Sequence, residues 1–119
     1  MKRTGPTNIH LRLLIKQLKR ASRQYKAPVW RRVAELLSRP RRQRVEVNLS
    51  RINRYANEGD VVVVPGKVLG SGELTKRVTV AAWRFSKSAL EKVRRVGEAI
   101  TIEELLQRSP EGRAVKIIS

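Results

Sequence analysis

The amino-acid sequence predicts an α/β fold: N-terminal helices followed by a compact core of irregular strand-strand-helix turns. Three observations predict it. Apolar residues recur at helical spacing from Leu11 to Leu37. From residue 45 the pattern changes to short apolar or alternating runs punctuated by Gly, Pro, Asn and Asp. Between those runs stand capping residues that open short helical stretches. The length of 119 residues predicts one structural domain overall. Within it, residues 1–44 form a basic tail and helical segment and residues 45–119 the α/β core.

Residues 1–6 read as an extended basic tail. Thr7 or Asn8 can cap a helix running to about Tyr25, with Leu11, Leu14, Leu18 and Tyr25 on one stripe and Ile15 widening it. Arg12, Lys16, Lys19, Arg20 and Arg23 fall on its other faces. Pro28 suits the start of a second helix, which buries Trp30, Val33, Ala34 and Leu37 with Leu36 beside them. It ends near Ser38, because Pro40 disfavours helix at the residue before it. The run from Arg39 to Arg44, with four arginines in six residues, is the expected hinge.

Val45-Glu46-Val47 alternates like a strand, and Asn48 or Ser50 can cap a helix through Ile52 to Ala56. Residues 57–60 are a turn. Val61 to Val64 is a short buried strand, and Pro65-Gly66 is expected to turn the chain into Lys67-Val68-Leu69. Gly70-Ser71-Gly72 breaks it again. Val78 to Trp83 is a further strand, with Arg77, Thr79 and Ala81 on one face and Val78, Val80 and Ala82 on the other. Ser86 caps a helix through Ala89, Leu90 and Val93 that stops at Gly97. Thr101 and Glu104 form a capping box for a last short helix at Leu105-Leu106. Pro110-Glu111-Gly112 turns into a terminal strand from Val115 to Ile118.

Charge narrows the function. Lys and Arg number 27 against 10 Asp and Glu, a formal net charge of +17, spread from Lys2 to Lys116. Such a surface repels itself and calls for a polyanion. Arginine outnumbers lysine two to one, and its planar donor fork suits both phosphate and base stacking. An acidic protein partner or an anionic membrane is the alternative to nucleic acid. The first helix could serve a membrane surface, but its apolar face lacks Trp and Phe and the rest of the chain is equally basic. No apolar run approaches the length of a membrane span and no signal-type apolar region follows the basic start, so the expectation is an intracellular protein. The scarcity of Asp, Met and Cys also suits a thermophile.

Chemistry-bearing patterns are few. Cysteine is absent, so there is neither a disulfide nor a thiolate metal site. His10 is the sole histidine, which rules out a nucleophile–histidine triad beyond that one residue and leaves metal binding to scattered carboxylates. No cofactor, metal or catalytic residue is expected. Pro65 to Gly72 resembles a phosphate loop only superficially. Lys67 is followed by Val68 rather than Ser or Thr, and position 62 is Val rather than Gly. Two readings of its glycines remain open: tight turns with positive φ, or close backbone approach to an RNA phosphate by Gly66, Lys67, Gly70 and Gly72. Arg39, Arg41, Arg42 and Arg44 have few acids nearby, which favours phosphate contact over a merely solvated loop. Lys2 and Arg3 in the tail, Thr7, Asn8, Arg12 and Lys16 on the first helix, and Lys76, Arg77, Arg84 and Lys87 around the later strands complete the candidate RNA-binding set. Trp30 and Trp83 are more simply core residues than base-stacking platforms.

Several segments carry a family resemblance: Val47-Asn48-Leu49-Ser50, Val64-Pro65-Gly66-Lys67-Val68-Leu69-Gly70-Ser71-Gly72-Glu73-Leu74, and Ala82 through Phe85-Ser86-Lys87-Ser88-Ala89 to Gly97. In these the chain resembles the archaeal and eukaryotic large-subunit ribosomal proteins numbered eighteen, the "e" form. Upstream, Thr7-Asn8 before an apolar helix, Trp30 and the Arg-Pro-Arg-Arg run agree with it. The core from Val47 to Gly97 is also similar to the C-terminal half of the bacterial large-subunit protein numbered fifteen. The resemblance implies an α/β core preceded by helices and a structural role in the large ribosomal subunit. It implies binding to large-subunit ribosomal RNA beside neighbouring ribosomal proteins, with no catalysis, no small-molecule substrate and no membrane. By the same analogy the basic N-terminal region and the glycine loop face RNA. The short length implies an archaeal source and a cytoplasmic ribosome. An architectural DNA-binding protein is the rival with the same charge, and a small nucleotide-using enzyme is a second rival that the glycine loop disfavours.

Overall fold

The structure, a computed structural model, describes residues 8–40 and 44–119. Among these described residues ten elements follow in order: α1 (Ile9–Tyr25), α2 (Pro28–Leu37), β1 (Val45–Asn48), α3 (Leu49–Tyr55), β2 (Val61–Leu69), β3 (Thr79–Phe85), α4 (Lys87–Val96), β4 (Glu98–Thr101), α5 (Ile102–Arg108) and β5 (Val115–Ile117). Helix α1 starts where Asn8 Oδ1 accepts from the Leu11 amide at 3.1 Å, and it buries Leu11, Leu14, Ile15, Leu18 and Ala21. Tyr25, expected on that stripe, is 41% exposed. Ala21 takes the last covered position, because the helix ends at Lys26, a left-handed residue with φ 51°. Pro28 opens α2, where its missing N–H would have no helical partner anyway. Trp30, Val33, Ala34, Leu36 and Leu37 are buried, and the Ser38 hydroxyl closes the helix by donating to the Ala34 carbonyl at 2.7 Å.

All five strands pair in parallel, in the order β1-β2-β3-β4. Strand β5 pairs with Val61–Val63 of β2 and β1 with Gly66–Leu69. The two therefore lie end to end along the β2 edge that faces away from β3. Parallel strands need crossovers; α3, α4 and α5 supply three of them, and the irregular segment 70–78 links β2 to β3. A parallel sheet buried on both faces requires apolar side chains on both, which the valines of β2 provide. Val62, Val64 and Val68 join α3 and α4 in one core. Val63, with Ala81 of β3 and Ile100 of β4, joins α1, α2 and α5 in the other. Val80 and Ala82 oppose Ala81, the face assignment expected from alternation.

One local expectation is corrected, one holds for a different physical reason, and one strand is new. Pro65-Gly66 does not turn the chain: β2 runs from Val61 to Leu69, and its pairing with β3 slips between Val64 and Lys67. Proline is tolerated in a strand at such an irregularity. Gly66 is needed for a close approach, since a Cβ there would lie 2.0 Å from the Val45 carbonyl oxygen of β1. Gly97 ends α4 without a left-handed cap, at φ −143°. A Cβ at this position would meet the Val78 carbonyl oxygen at 2.1 Å, so again a neighbouring backbone requires the glycine. Strand β4 was not anticipated, because its four residues sit between two helix signals and alternate too briefly to register.

Candidate nucleic-acid interface

The carboxyl ends of β1, β2 and β3 lie side by side, as Asn48 pairs with Leu69 and Val68 with Phe85. The segments leaving those ends gather there. In open α/β sheets this is where ligands bind. Lys67 and Arg84 are directly opposed on neighbouring strands, and both are exposed. Opposed like charges disfavour a sheet, unless an anion lies between or over them. Lys87 opens α4 immediately beyond β3, and Gly70 packs against the same helix start, where a Cβ would strike the Ser88 Oγ at 2.0 Å. Lys67, Gly70, Gly72, Arg84 and Lys87 are thus brought to one end of the sheet.

Gly72 has φ +92°, and a Cβ on it would lie 2.6 Å from the Ser50 Cβ. It is both a positive-φ turn and a close approach to Ser50 of the protein itself, so the tight-turn reading of the glycines holds here. The Ser71 carbonyl accepts from the Ser50 amide at 3.1 Å. That bond caps the start of α3, where the Asn48 side chain makes no capping bond.

Other candidates stand elsewhere. Lys76 donates to the Asn53 and Ala56 carbonyls at 2.7 and 2.8 Å, so its ammonium caps the C-terminus of α3. Arg77, at the opposite end of the sheet, keeps an exposed side chain while its amide donates to Glu58 at 3.1 Å. Arg12 and Lys16 lie on the exposed side of α1 with Lys19, Arg20 and Arg23, and none of the five has an ion-pair partner among the described residues. Asn8 is committed to capping α1 through its side chain. Arg39 is exposed and accepts from the Arg44 Nε at 3.4 Å through its carbonyl. Lys2, Arg3, Thr7, Arg41 and Arg42 lie outside the described residues.

Trp30 is fully buried and donates its Nε1–H to the Pro110 carbonyl at 2.8 Å, a core role. Trp83 is half-buried with the Arg84 guanidinium 5.5 Å from its ring. His10 is exposed on α1. Among the described residues no group of three or more His, Cys, Asp or Glu side chains is placed to hold a metal.

One surface feature escaped sequence reasoning. Tyr55 is 52% exposed, and the Arg51 guanidinium lies 5.2 Å from its ring. Arg51 donates to the Ser119 carbonyl at 3.0 Å, and with Lys116, Ile117 and Ile118 these residues line a shallow cavity of about 380 Å³. The only sequence signal was the i, i+4 spacing of Arg51 and Tyr55 on a short helix.

Several of the acids are engaged by cations. Lys116 bonds Asp60 at 2.7 Å and, with the Asn57 amide, holds that carboxyl below the usual range. Arg108 grips Glu98 with two bonds of 2.9 and 2.7 Å and lowers its pKa. Arg108 also bonds Glu104 at 2.7 Å. The capping box is therefore half made: Thr101 Oγ1 accepts from the Glu104 amide at 3.0 Å, while the Glu104 carboxylate turns to Arg108. Among the described residues five of the ten acids are bound to cations, which leaves the α1 face and the sheet end with a large positive excess.

The whole chain, residues 1–119, matches the family described as "Ribosomal protein 60S L18 and 50S L18e". Among its relatives, a large ribosomal subunit protein eL18 of Methanopyrus kandleri is 54% identical over 121 residues, covering 97% of this chain and 95% of the relative. The protein of the same name from Haloarcula marismortui is 54% identical over 112 residues, 94% of this chain and 97% of the relative. That from Methanococcus maripaludis is 48% identical over 120 residues, with both chains covered completely. Matched end to end by this family and by relatives at about half identity, the chain belongs to the ribosomal protein 60S L18 and 50S L18e family.

Proposed function

We propose that this chain is a structural constituent of the large ribosomal subunit that binds and stabilises folded large-subunit ribosomal RNA. Family membership supports the setting, and the observation that carries the RNA reading is the set of exposed cations without carboxylate partners on α1 and at the carboxyl end of the sheet. The mechanism is charge neutralisation. Arg and Lys replace counterions on phosphates and let RNA helices approach one another. Engaging about six to ten phosphates makes affinity fall on the order of a thousandfold or more between low and moderate salt. The role is one of binding rather than catalysis, and the partners are ribosomal RNA and neighbouring proteins of the subunit, in the cytoplasm.

Residues 1–44 and 45–119 act as one structural unit in this reading. In its support, α1 and α2 share a core with β2, β3 and β4. The arginine run at 39–44 contributes phosphate contacts, and Arg41→Glu with Arg42→Glu weakens incorporation into the subunit while leaving the fold intact. Density-gradient sedimentation of a cell extract, repeated at low magnesium to part the subunits, tests the assignment. The protein should follow the large subunit in both runs. Residence at the top of the gradient, or migration with chromosomal DNA, refutes it. Equal competition by duplex DNA and structured RNA would favour the architectural DNA alternative.

A further inference from the structure

We infer that Lys92 is the positioning residue of the glycine loop, and that it presents the amides of Ser71, Gly72 and Glu73 to a phosphate of the RNA without touching that phosphate itself. The inference deepens the RNA-binding reading and rests on it. Lys92, in the middle of α4, reaches across to the loop and donates to the Gly70 carbonyl at 2.9 Å and the Gly72 carbonyl at 2.8 Å. The Glu73 carboxylate lies 3.5 Å from the same ammonium. An ammonium has three N–H donors, and here two carbonyl acceptors and one carboxylate neighbour surround it. Its side chain is 26% exposed, two of its donors are spent on carbonyls, and the third has the Glu73 carboxylate beside it.

The consequence follows from peptide geometry. Among the described residues every peptide bond is trans, and in a trans peptide the N–H points opposite to the preceding C=O. The Gly70 and Gly72 carbonyls point at Lys92, so the Ser71 and Glu73 amides point away from it. The Ser71 carbonyl points at the Ser50 amide, so the Gly72 amide points away from α3. Among the described residues no backbone group accepts from these three amides. Successive outward N–H groups around a positive-φ residue form an anion-binding concavity, here built around Gly72 at φ +92°. Lys92 also holds the Glu73 carboxylate on its own side of the loop, which keeps that negative charge off the phosphate. Lys67, by contrast, is exposed at the same end of the sheet and has a free ammonium among the described residues.

Filter binding of the full chain to a transcript of large-subunit ribosomal RNA across a potassium chloride series tests this. Lys92→Met should lower affinity about three- to tenfold through loss of loop order, while leaving the slope of log affinity against log salt unchanged. Lys67→Met should reduce that slope by about one, as a phosphate ligand does. Gly72→Ala disturbs the same loop, so Lys92→Met combined with it should bind no more weakly than the worse single variant. A slope lowered by about one in Lys92→Met, an unchanged affinity, or fully additive losses in the double variant would each overturn the inference. Hydrogen exchange on the unaltered protein is the check if Lys92→Met does not fold: the Ser71, Gly72 and Glu73 amides should exchange fast in the free chain and slowly with RNA. Fast exchange in the complex overturns the inference while sparing the RNA reading. Absence of any salt-dependent binding by the unaltered chain sinks the RNA reading itself and the inference with it.

Discussion

Two buried contacts show how single residues hold this protein. The Trp30 indole N–H meets the Pro110 carbonyl at 2.8 Å, and a Cβ on Gly112 would lie 3.3 Å from the same Nε1 and 2.4 Å from Val29 Cγ1. The link before β5 is thereby seated on α2. Trp30→Phe keeps most of the packing and leaves that carbonyl without its donor, so it should cost about 1–2 kcal/mol in urea unfolding. Gly66→Ala drives a methyl group into the β1 backbone, and backbone yields less readily than a side chain. It should cost about 3 kcal/mol by the same measurement. The carboxylates supply a pH signature. Glu98 and Asp60 have folded pKa values below their unfolded ones, so their stabilisation is present above the unfolded values and is lost as pH falls through the folded ones. The melting temperature should therefore drop as pH falls below about 4. Glu98→Gln should flatten that drop, because the amide cannot titrate.

At the scale of elements, the two short-range caps differ in kind. Asn8 caps α1 with its own side chain, so Asn8→Ala should cost about 1 kcal/mol. Asn48 occupies the same position on α3 but makes no such bond, because the Ser71 carbonyl has taken the Ser50 amide. Asn48→Ala should thus change stability by less than about 0.5 kcal/mol. Thermal melts of both variants check the contrast. The glycine loop in this way serves two masters: it completes a helix start on one side and meets Lys92 on the other. A sheet that ends in such a loop presents backbone donors at a position determined by two helices rather than by the loop's own stiffness.

At the scale of the molecule, a charge of +17 on 119 residues acts in opposite directions on folding and binding. Self-repulsion destabilises the isolated chain, and salt screens it. The melting temperature of the free protein should therefore rise with potassium chloride, while affinity for ribosomal RNA falls. A calorimetric series and a binding series in the same buffers check the pair of opposite slopes. A melting temperature that also falls with salt would mean the surface ion pairs outweigh the repulsion. That outcome conflicts with their small expected worth, since Arg31, Arg32 and Glu35 are more than half exposed.

The sequence by itself determined the helices α1, α2 and α4, a cap for α1 at Thr7 or Asn8, the caps at Ser86 and Thr101, the two faces of β3, the excess of cations and the family resemblance. Each of these depends on residues within a few positions of one another, or on composition, which no tertiary contact alters. Only the tertiary structure decided that β2 runs through Pro65-Gly66, that Gly66 and Gly97 answer to the Val45 and Val78 carbonyls, and that β4 exists at all. Only it separated Lys76 and Lys92, whose ammonium groups are spent on carbonyls about twenty residues away, from Lys67, Arg84 and Lys87, which face outward. The reason is physical. Periodicity reports which side of its own element a residue occupies, whereas a glycine required by a neighbour's backbone, or a cation consumed by a distant carbonyl, is specified by atoms that only folding brings near.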